Sequence, residues 1–274
     1  MDGIILRGGE GEEVATQPDR SVLVKLDLEQ IGMTESWYGS RQPGAAPHLH
    51  ERHADSFYVL DGEVTFFTAT GSRQAPAGAV FLAPPRVVHG FSHERDEETR
   101  FLNFHTPGEQ FVESLRARRD ADSYDPTQYD SFDPRPDAPS GATISLRGDG
   151  DRLEAETRTA TVKVDRTEIA LVEFDLDPGF EGPKPHIHKR HVDSFYVLEG
   201  EPEFRAGDTT LRGSPGMLVA APPGVVHAFG NPGPRPARLI NVHAPGCDFR
   251  EYLHVMQDVE LDDELRAKYD VYEV

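Results

Sequence analysis

The stretch PHLHERHADSFYVLDGE, residues 47 to 63, returns 138 positions later as PHIHKRHVDSFYVLEGE, residues 185 to 201. The same offset relates GAVFLAPPRVVHGF (78 to 91) to GMLVAAPPGVVHAF (216 to 229), and FLNFHTPGEQF (101 to 111) to LINVHAPGCDF (239 to 249). A constant offset across three blocks means that neither half gained or lost a residue between them. The chain is a duplicated domain whose period is far too long for a solenoid repeat. Its 274 residues give each copy enough length to bury a core without disulfides or other staples.

Within each copy the pattern is that of short strands. SVLVKLDL, SFYVLDGEVTFFTA, AVFLA, VVHGF and RFLNFH carry β-branched and aromatic residues between Gly and Pro punctuation, and the second copy answers with TEIALVEFDL, SFYVLEGEPEF, GMLVAAP, VVHAF and RLINVH. Many short strands at this spacing indicate an all-β sandwich or barrel in each half. Helical pattern is confined to the ends of the copies, at 109–121, 248–259 and 262–269. The proline- and aspartate-rich stretch 123–141 has no period and reads as a linker, ordered by contact or flexible. The expected division is a first domain at 1–122, the linker at 123–141 and a second domain with a helical tail at 142–274.

Composition excludes more than it assigns. A formal charge of -20 leaves no basic surface for nucleic acid. No stretch reaches the length of a membrane span, and the first residues lack the basic and apolar regions of a signal peptide. With a single cysteine, Cys247, no intrachain disulfide forms, which fits a reducing compartment, so the expectation is a soluble, cytoplasmic protein. RGGEGEE (7 to 13) lacks the lysine and following helix of a phosphate-binding loop.

The chemistry sits in the histidines: ten of the twelve form five pairs at the 138 offset. His48 and His50 are two apart, so on an extended segment both rings project from one face and can share an ion. Asp55 opens the next strand and His89 arrives from another, after the Pro-Pro turn. Neutral imidazoles with one carboxylate suit a divalent Mn, Fe, Ni, Cu or Zn ion. The matching set is His186, His188, Asp193 and His227. An HxH pair alone is most often surface polarity; the recurrence of the whole spacing in both halves argues for a site.

That spacing resembles the cupin superfamily, and two such units resemble a bicupin. The residues that carry the resemblance are Gly44, His48, His50, Asp55 and Gly62, then Gly78, Pro84 and His89. In the second half they are Gly182, His186, His188, Asp193 and Gly200, then Gly216, Pro222, Gly224, His227 and Asn231. The resemblance covers most of 20–115 and 160–253. It implies two tandem β-barrels of the jelly-roll, double-stranded β-helix kind and one divalent transition metal in each. Three departures stand out: the family's usual glutamate is aspartate in both halves, Arg86 replaces a glycine, and His93 replaces an asparagine. His53 and His191, two residues before each aspartate, are either further ligands, with the aspartate then orienting a ring, or turn residues facing solvent. His105 and His243 are expected to close the last strand structurally. Trp37, Tyr38, Phe57, Phe66, Phe67 and Phe91 are expected mostly in the core, and Tyr58 and Tyr196 on the face away from the acid.

Bicupins of the quercetin-dioxygenase type are similar in layout, and the resemblance implies a metal-dependent dioxygenase acting on a small aromatic or enolic substrate. Asp55 and Asp193 would complete the ligand set or serve as base. Two other classes stay open, a non-catalytic small-ligand binder and a metal-dependent isomerase or decarboxylase. Strand exchange is common in the family, so both monomer and homodimer fit.

Overall fold

The run SFYVLDGEVTFFTA is two strands, Ala54–Asp61 and Glu63–Thr68, because Gly62 turns the chain between them. Gly62 has φ 71°, and a Cβ there would lie 2.4 Å from the Glu98 carbonyl oxygen. Only glycine fits both conditions. Gly200 holds the matching place at φ 80°.

The computed structural model describes residues 2–120, 124–257, 259 and 261–274. These form two compact units, one of Gly11–Asp149 and one of residues 2–10 with Gly150–Val274. In the first unit a seven-stranded antiparallel sheet runs Thr143–Ser145, Val80–Ala83, Ala54–Asp61, Thr99–Thr106, Gly32–Tyr38, Arg20–Asp27 and Glu12–Gln17. A three-stranded sheet of Gly71–Pro76, Glu63–Thr68 and His89–Ser92 accompanies it. Phe57, Phe66, Phe81 and Phe101 fill the core, with Phe66 stacked on Phe81 at 4.1 Å. Each buried ring contributes roughly 2–3 kcal/mol. The inward face becomes polar toward one end of the strands. Phe101 pairs with Val59, Asn103 with Phe57 and His105 with Asp55, so an acid, an amide and an imidazole follow the phenyl rings on one face.

The second unit repeats this plan. Its seven-stranded sheet runs Ile4–Leu6, Leu218–Ala221, Val192–Glu199, Ala237–Ala244, Ala170–Leu176, Arg158–Asp165 and Asp151–Ala155. A five-stranded sheet carries Thr209–Arg212, Glu203–Ala206, His227–Gly230, His186–Ile187 and Tyr272–Glu273. This is the all-β, two-barrel fold expected, with short helices at Phe111–Asp120, Phe249–Val255 and Asp263–Tyr269. Among the described residues, no helix is long and apolar enough to cross a membrane.

The compact units do not follow the domain limits expected from the repeat. The limit at 122/123 lies outside the described residues. That at 141/142 shifts, because Thr143–Ser145 pairs with Val80–Ala83 of the first unit while Ile4–Leu6 pairs with Leu218–Ala221 of the second. In each case a short arm covers a sheet edge that would otherwise present unpaired backbone groups. Nor is 123–141 a plain linker: Pro126–Tyr129 is a turn of 3-10 helix, Asp130 is buried, and Phe132 makes a backbone bridge to Leu49.

Candidate metal centres

Four side chains meet at the polar end of each barrel. In the first, His48 and His50 precede the strand that bears Asp55, and His89 begins His89–Ser92; a backbone bridge between His48 and His89 docks the two segments. The ligand atoms of His48, His50, Asp55 and His89 lie within 4.8 Å of one another, as do those of His186, His188, Asp193 and His227. The structure thus brings together both expected sets.

The hydrogen on each ring is fixed from outside. Nδ1 of His48, His50 and His89 faces the carbonyl oxygens of Ala46, Asp130 and Val87 at 2.8, 2.7 and 2.9 Å. Nδ1 of His186, His188 and His227 faces those of Lys184, Asp270 and Val225 at 2.8, 2.6 and 2.9 Å. A carbonyl only accepts, so Nδ1 donates and a neutral ring keeps a bare lone pair on Nε2. Burial keeps His48, His50 and His186 neutral. It pushes His48 down to about 4 and His186 down to about 3, with the neighbouring His89 and His227 acting in the same direction, and holds His50 well below its usual value.

The consequence is that acceptors face acceptors. His48 Nε2 lies 3.2 Å from His50 Nε2, and His89 Nε2 and His227 Nε2 each lie 3.1 Å from the aspartate oxygen of their set. His188 Nε2 is buried without a hydrogen-bond partner. Lone pairs gathered in this way repel unless a cation sits among them, and three imidazole nitrogens with one carboxylate oxygen suit a divalent transition metal. The residues fit the ion anticipated from the sequence. Aspartate, though shorter than glutamate, brings Oδ2 to the group while Oδ1 is held from behind: Asn241 Nδ2 donates to Asp193 Oδ1 at 2.5 Å and Asn103 Nδ2 donates to Asp55 Oδ1.

His53 and His191 are each 1% exposed, so the solvent-facing alternative does not hold. Both ring nitrogens of His191 are hydrogen-bonded, whereas His53 bonds through Nε2 and its Nδ1 only approaches Asp130 at 2.9 Å. His191 Nδ1 lies 2.9 Å from Asp270 Oδ2, its Nε2 lies 2.9 Å from His243 Nδ1, and His243 Nε2 lies 2.8 Å from Asn241 Oδ1. The corresponding separations through Asp130, His53, His105 and Asn103 are 2.9, 2.8 and 3.2 Å. His105 and His243 therefore do more than close a strand. Asn241 gives its Nδ2 to Asp193 and to the Ser194 carbonyl, so its Oδ1 accepts and His243 Nε2 carries a hydrogen. The two rings form one buried chain between Asp270 and Asn241, and burial pushes His191 down to about 4 and holds His243 well below its usual value.

Asp130 and Asp270 escaped the sequence reading. Asp270 accepts from His191 with its carboxylate, and Asp130 lies 2.9 Å from His53 Nδ1; each also accepts from a ligand histidine with its carbonyl and from two backbone N–H groups of the loop between, those of Glu51 and Arg52 or of Lys189 and Arg190. The signal was present as Tyr129-Asp130-Ser131-Phe132 and Tyr269-Asp270-Val271-Tyr272, but at an offset of 140.

The other departures are accommodated. Arg86 adopts φ 68° where Gly224 has 84°, and the backbone N–H of each donates to the carbonyl of its HxH partner, His50 or His188. His93 and Asn231 both hold turn carbonyls, of Glu63 and Arg235. Burial first, then the charge of Asp270, pushes the Cys247 thiol up to about 11, which leaves it protonated. Tyr58 and Tyr196 are buried on the face away from the acids.

The first centre opens into a cavity of 510 Å³, walled in part by Tyr38, Phe91 and Phe101. Tyr38 and Phe91 had been expected as core; they pack there and also line this space. Trp37, half-buried, instead donates its indole N–H to Glu98.

Because His48 and His186 stay neutral when folded while a free histidine titrates near ~6.5, the unfolded chain binds more protons between about pH 6.5 and 4. Stability of chelator-treated protein is therefore expected to fall as pH drops through that window. Melting curves should show this slope, and it should be shallower in the His48→Gln, His186→Gln double variant. An identical slope in the variant would contradict the assignment.

Comparison with known proteins agrees with the geometry. The family model of the cupin domain matches residues 38–105 and 172–243. Quercetin 2,3-dioxygenase of Bacillus subtilis is 27% identical over 115 residues, a match that spans 40% of this chain and 34% of that enzyme. Among solved structures, a variant of oxalate decarboxylase from Bacillus subtilis superposes with TM-score 0.61 at 13% identity, covering 100% of this chain and 89% of that one. AerE from Microcystis aeruginosa gives 0.60 at 14% identity, covering 88% and 97%. At such identities the likeness of structures is one of fold.

Proposed function

The chain belongs to the cupin family, and from that premise we propose that it is a metal-dependent dioxygenase acting on a small aromatic or enolic substrate. One divalent ion per barrel is held by His48, His50, Asp55 and His89 in the first and by His186, His188, Asp193 and His227 in the second. The observation that carries this reading is the cluster of three histidine nitrogens and a carboxylate oxygen, of which His48, His50 and Asp55 line an aromatic-walled cavity of 510 Å³. When bound, an Fe, Mn, Ni or Cu ion supplies Lewis acidity and one-electron chemistry with dioxygen.

The chain's own residues do the rest. Asp55 is oriented by Asn103 through Oδ1, which leaves Oδ2 either to complete the ligand set or, in place of that, to take the proton of a phenol or enol. Tyr38, Phe91 and Phe101 keep water from the reacting face. The single cysteine fits a cytoplasmic setting.

The test is oxygen uptake by metal-loaded protein offered flavonols, catechols and enolic acids. Substrate loss coupled to oxygen consumption is the expected result. Product formed equally well without oxygen would replace the reading with an isomerase or decarboxylase, and binding without turnover would make the protein a ligand carrier.

A further inference from the structure

The two barrels share a ligand set but differ in the space around it. Ala15, Thr34, Ser36 and Ser114 line the cavity of the first unit, and at the 138 offset their places are taken by Leu153, Val172, Phe174 and Tyr252. Strand pairing confirms the equivalence: Val22 faces Ala15 and Ser36 as Ala160 faces Leu153 and Phe174. Ser131, two residues after Tyr129, likewise corresponds to Val271. All five are buried in one hydrophobic cluster. Valine for Thr34 removes a hydroxyl at equal size, and the other four are larger than the residues they replace, so the second barrel fills volume that the first leaves open.

The open cavity also carries positive charge that, among the described residues, no carboxylate neutralises. Arg20 lies over the Tyr38 ring at 4.7 Å and donates to the Pro43 carbonyl, with its Nε buried and without a partner; Arg158 keeps the same place over Phe174 at 5.7 Å in the second barrel, so the charge that distinguishes the first is Arg118. Arg118, exposed, lines the same cavity and lies over the Tyr124 ring at 4.6 Å. Among the described residues no carboxylate lies within ion-pair distance of either guanidinium, whereas Arg116 and Arg119 on the same helix are paired with Glu12. In the second barrel Arg118 is replaced by Met256. In a chain of formal charge -20, two unneutralised cations beside a hydroxyl-lined cavity mark a place for an anion.

We infer that the substrate is a small carboxylic acid taken up by the first barrel alone, its carboxylate held by Arg20 and Arg118 and its phenolic or enolic oxygen directed at the histidines. This rests on the proposed function for the second contact only. The guanidiniums stand whether or not the site turns over.

Isothermal titration of the full-length, metal-loaded protein with benzoate, salicylate and phenylpyruvate, each beside its neutral amide, tests it. The expected result is one equivalent of acid per chain, with the amide weaker by about tenfold or more, as loss of a charge-assisted contact implies. Arg118→Met, at an exposed position, should weaken the acids by about tenfold and leave the amides unchanged. Ser114→Tyr, which installs the residue of the second barrel, should abolish binding without lowering the melting temperature. Equal affinity for acid and amide, two equivalents per chain, or binding of none of the acids overturns the inference. Acids that bind as stated but consume no oxygen would sink the dioxygenase reading and leave this one intact; uptake of oxygen with neutral flavonols alone would do the reverse.

Discussion

Alanine at both His48 and His50 is expected to remove one of two bound metal equivalents and to lower turnover by about a thousandfold or more, since the ion supplies several kcal/mol of charge stabilisation. Alanine at His186 and His188 should remove the other equivalent but leave most of the turnover, because that barrel's equivalent positions are filled by Phe174 and Tyr252. Elemental analysis of untagged protein, purified without added metal or chelator, reads the first quantity, and steady-state rates read the second. If both pairs of substitutions abolished turnover equally, the two barrels would be working sites of one kind, and the difference in their filling would have no bearing on catalysis. If wild-type protein held no metal and refused added metal, the facing lone pairs would need another explanation.

Asp130→Ala and Asp270→Ala are expected to weaken metal binding by about 10- to 100-fold at their own barrel, the range found when a group behind a metal ligand is lost. Each change strands a buried ring, His53 or His191, and two backbone N–H groups, so the melting temperature should fall as well, by an amount equivalent to about 2–4 kcal/mol. Asparagine keeps an acceptor for the N–H groups but not the negative charge beside the buried ring. Asp130→Asn should therefore recover part of the stability and little of the metal affinity. Competition against a chelator of known strength, beside thermal melts, separates the two effects. Full recovery of metal binding by asparagine would show that only the backbone contacts matter.

How much of this was legible in the sequence depended on whether a contact lay within one block of the repeat. His48, His50, Asp55 and His89 were readable because HxH fixes a face, the strand that follows fixes the acid, and both halves preserve the interval to the third histidine. The fate of His53 was not, because what buries it is Asp130, brought over by a turn of 3-10 helix from a stretch whose prolines and aspartates read as linker. Two extra residues in the second copy put Asp270 out of step with it, so a comparison at constant offset passes over the pair. The cavity was hidden for a different reason. Tyr38 and Phe91 have the composition of core, and only the small residues opposite them, Ser36 and Ser114 among others, determine that their rings border a space. Volume is a sum over many distant positions, and no single motif reports it.

The exchanged arms alter what counts as one copy. In the gene the copy runs from one HxH block to the next, but the folded object borrows its outermost strand from beyond those limits: Ile4–Leu6 lies along Leu218–Ala221, and Thr143–Ser145 along Val80–Ala83. The unit of inheritance and the unit of folding are out of phase by one strand. A fragment of residues 142–274 would carry an arm with no sheet to join and a bare edge at Leu218–Ala221, and such fragments can satisfy both needs only by lending arms to one another. Dividing this chain at its repeat would leave each piece with an unpaired arm and an uncovered sheet edge, an arrangement that favours association.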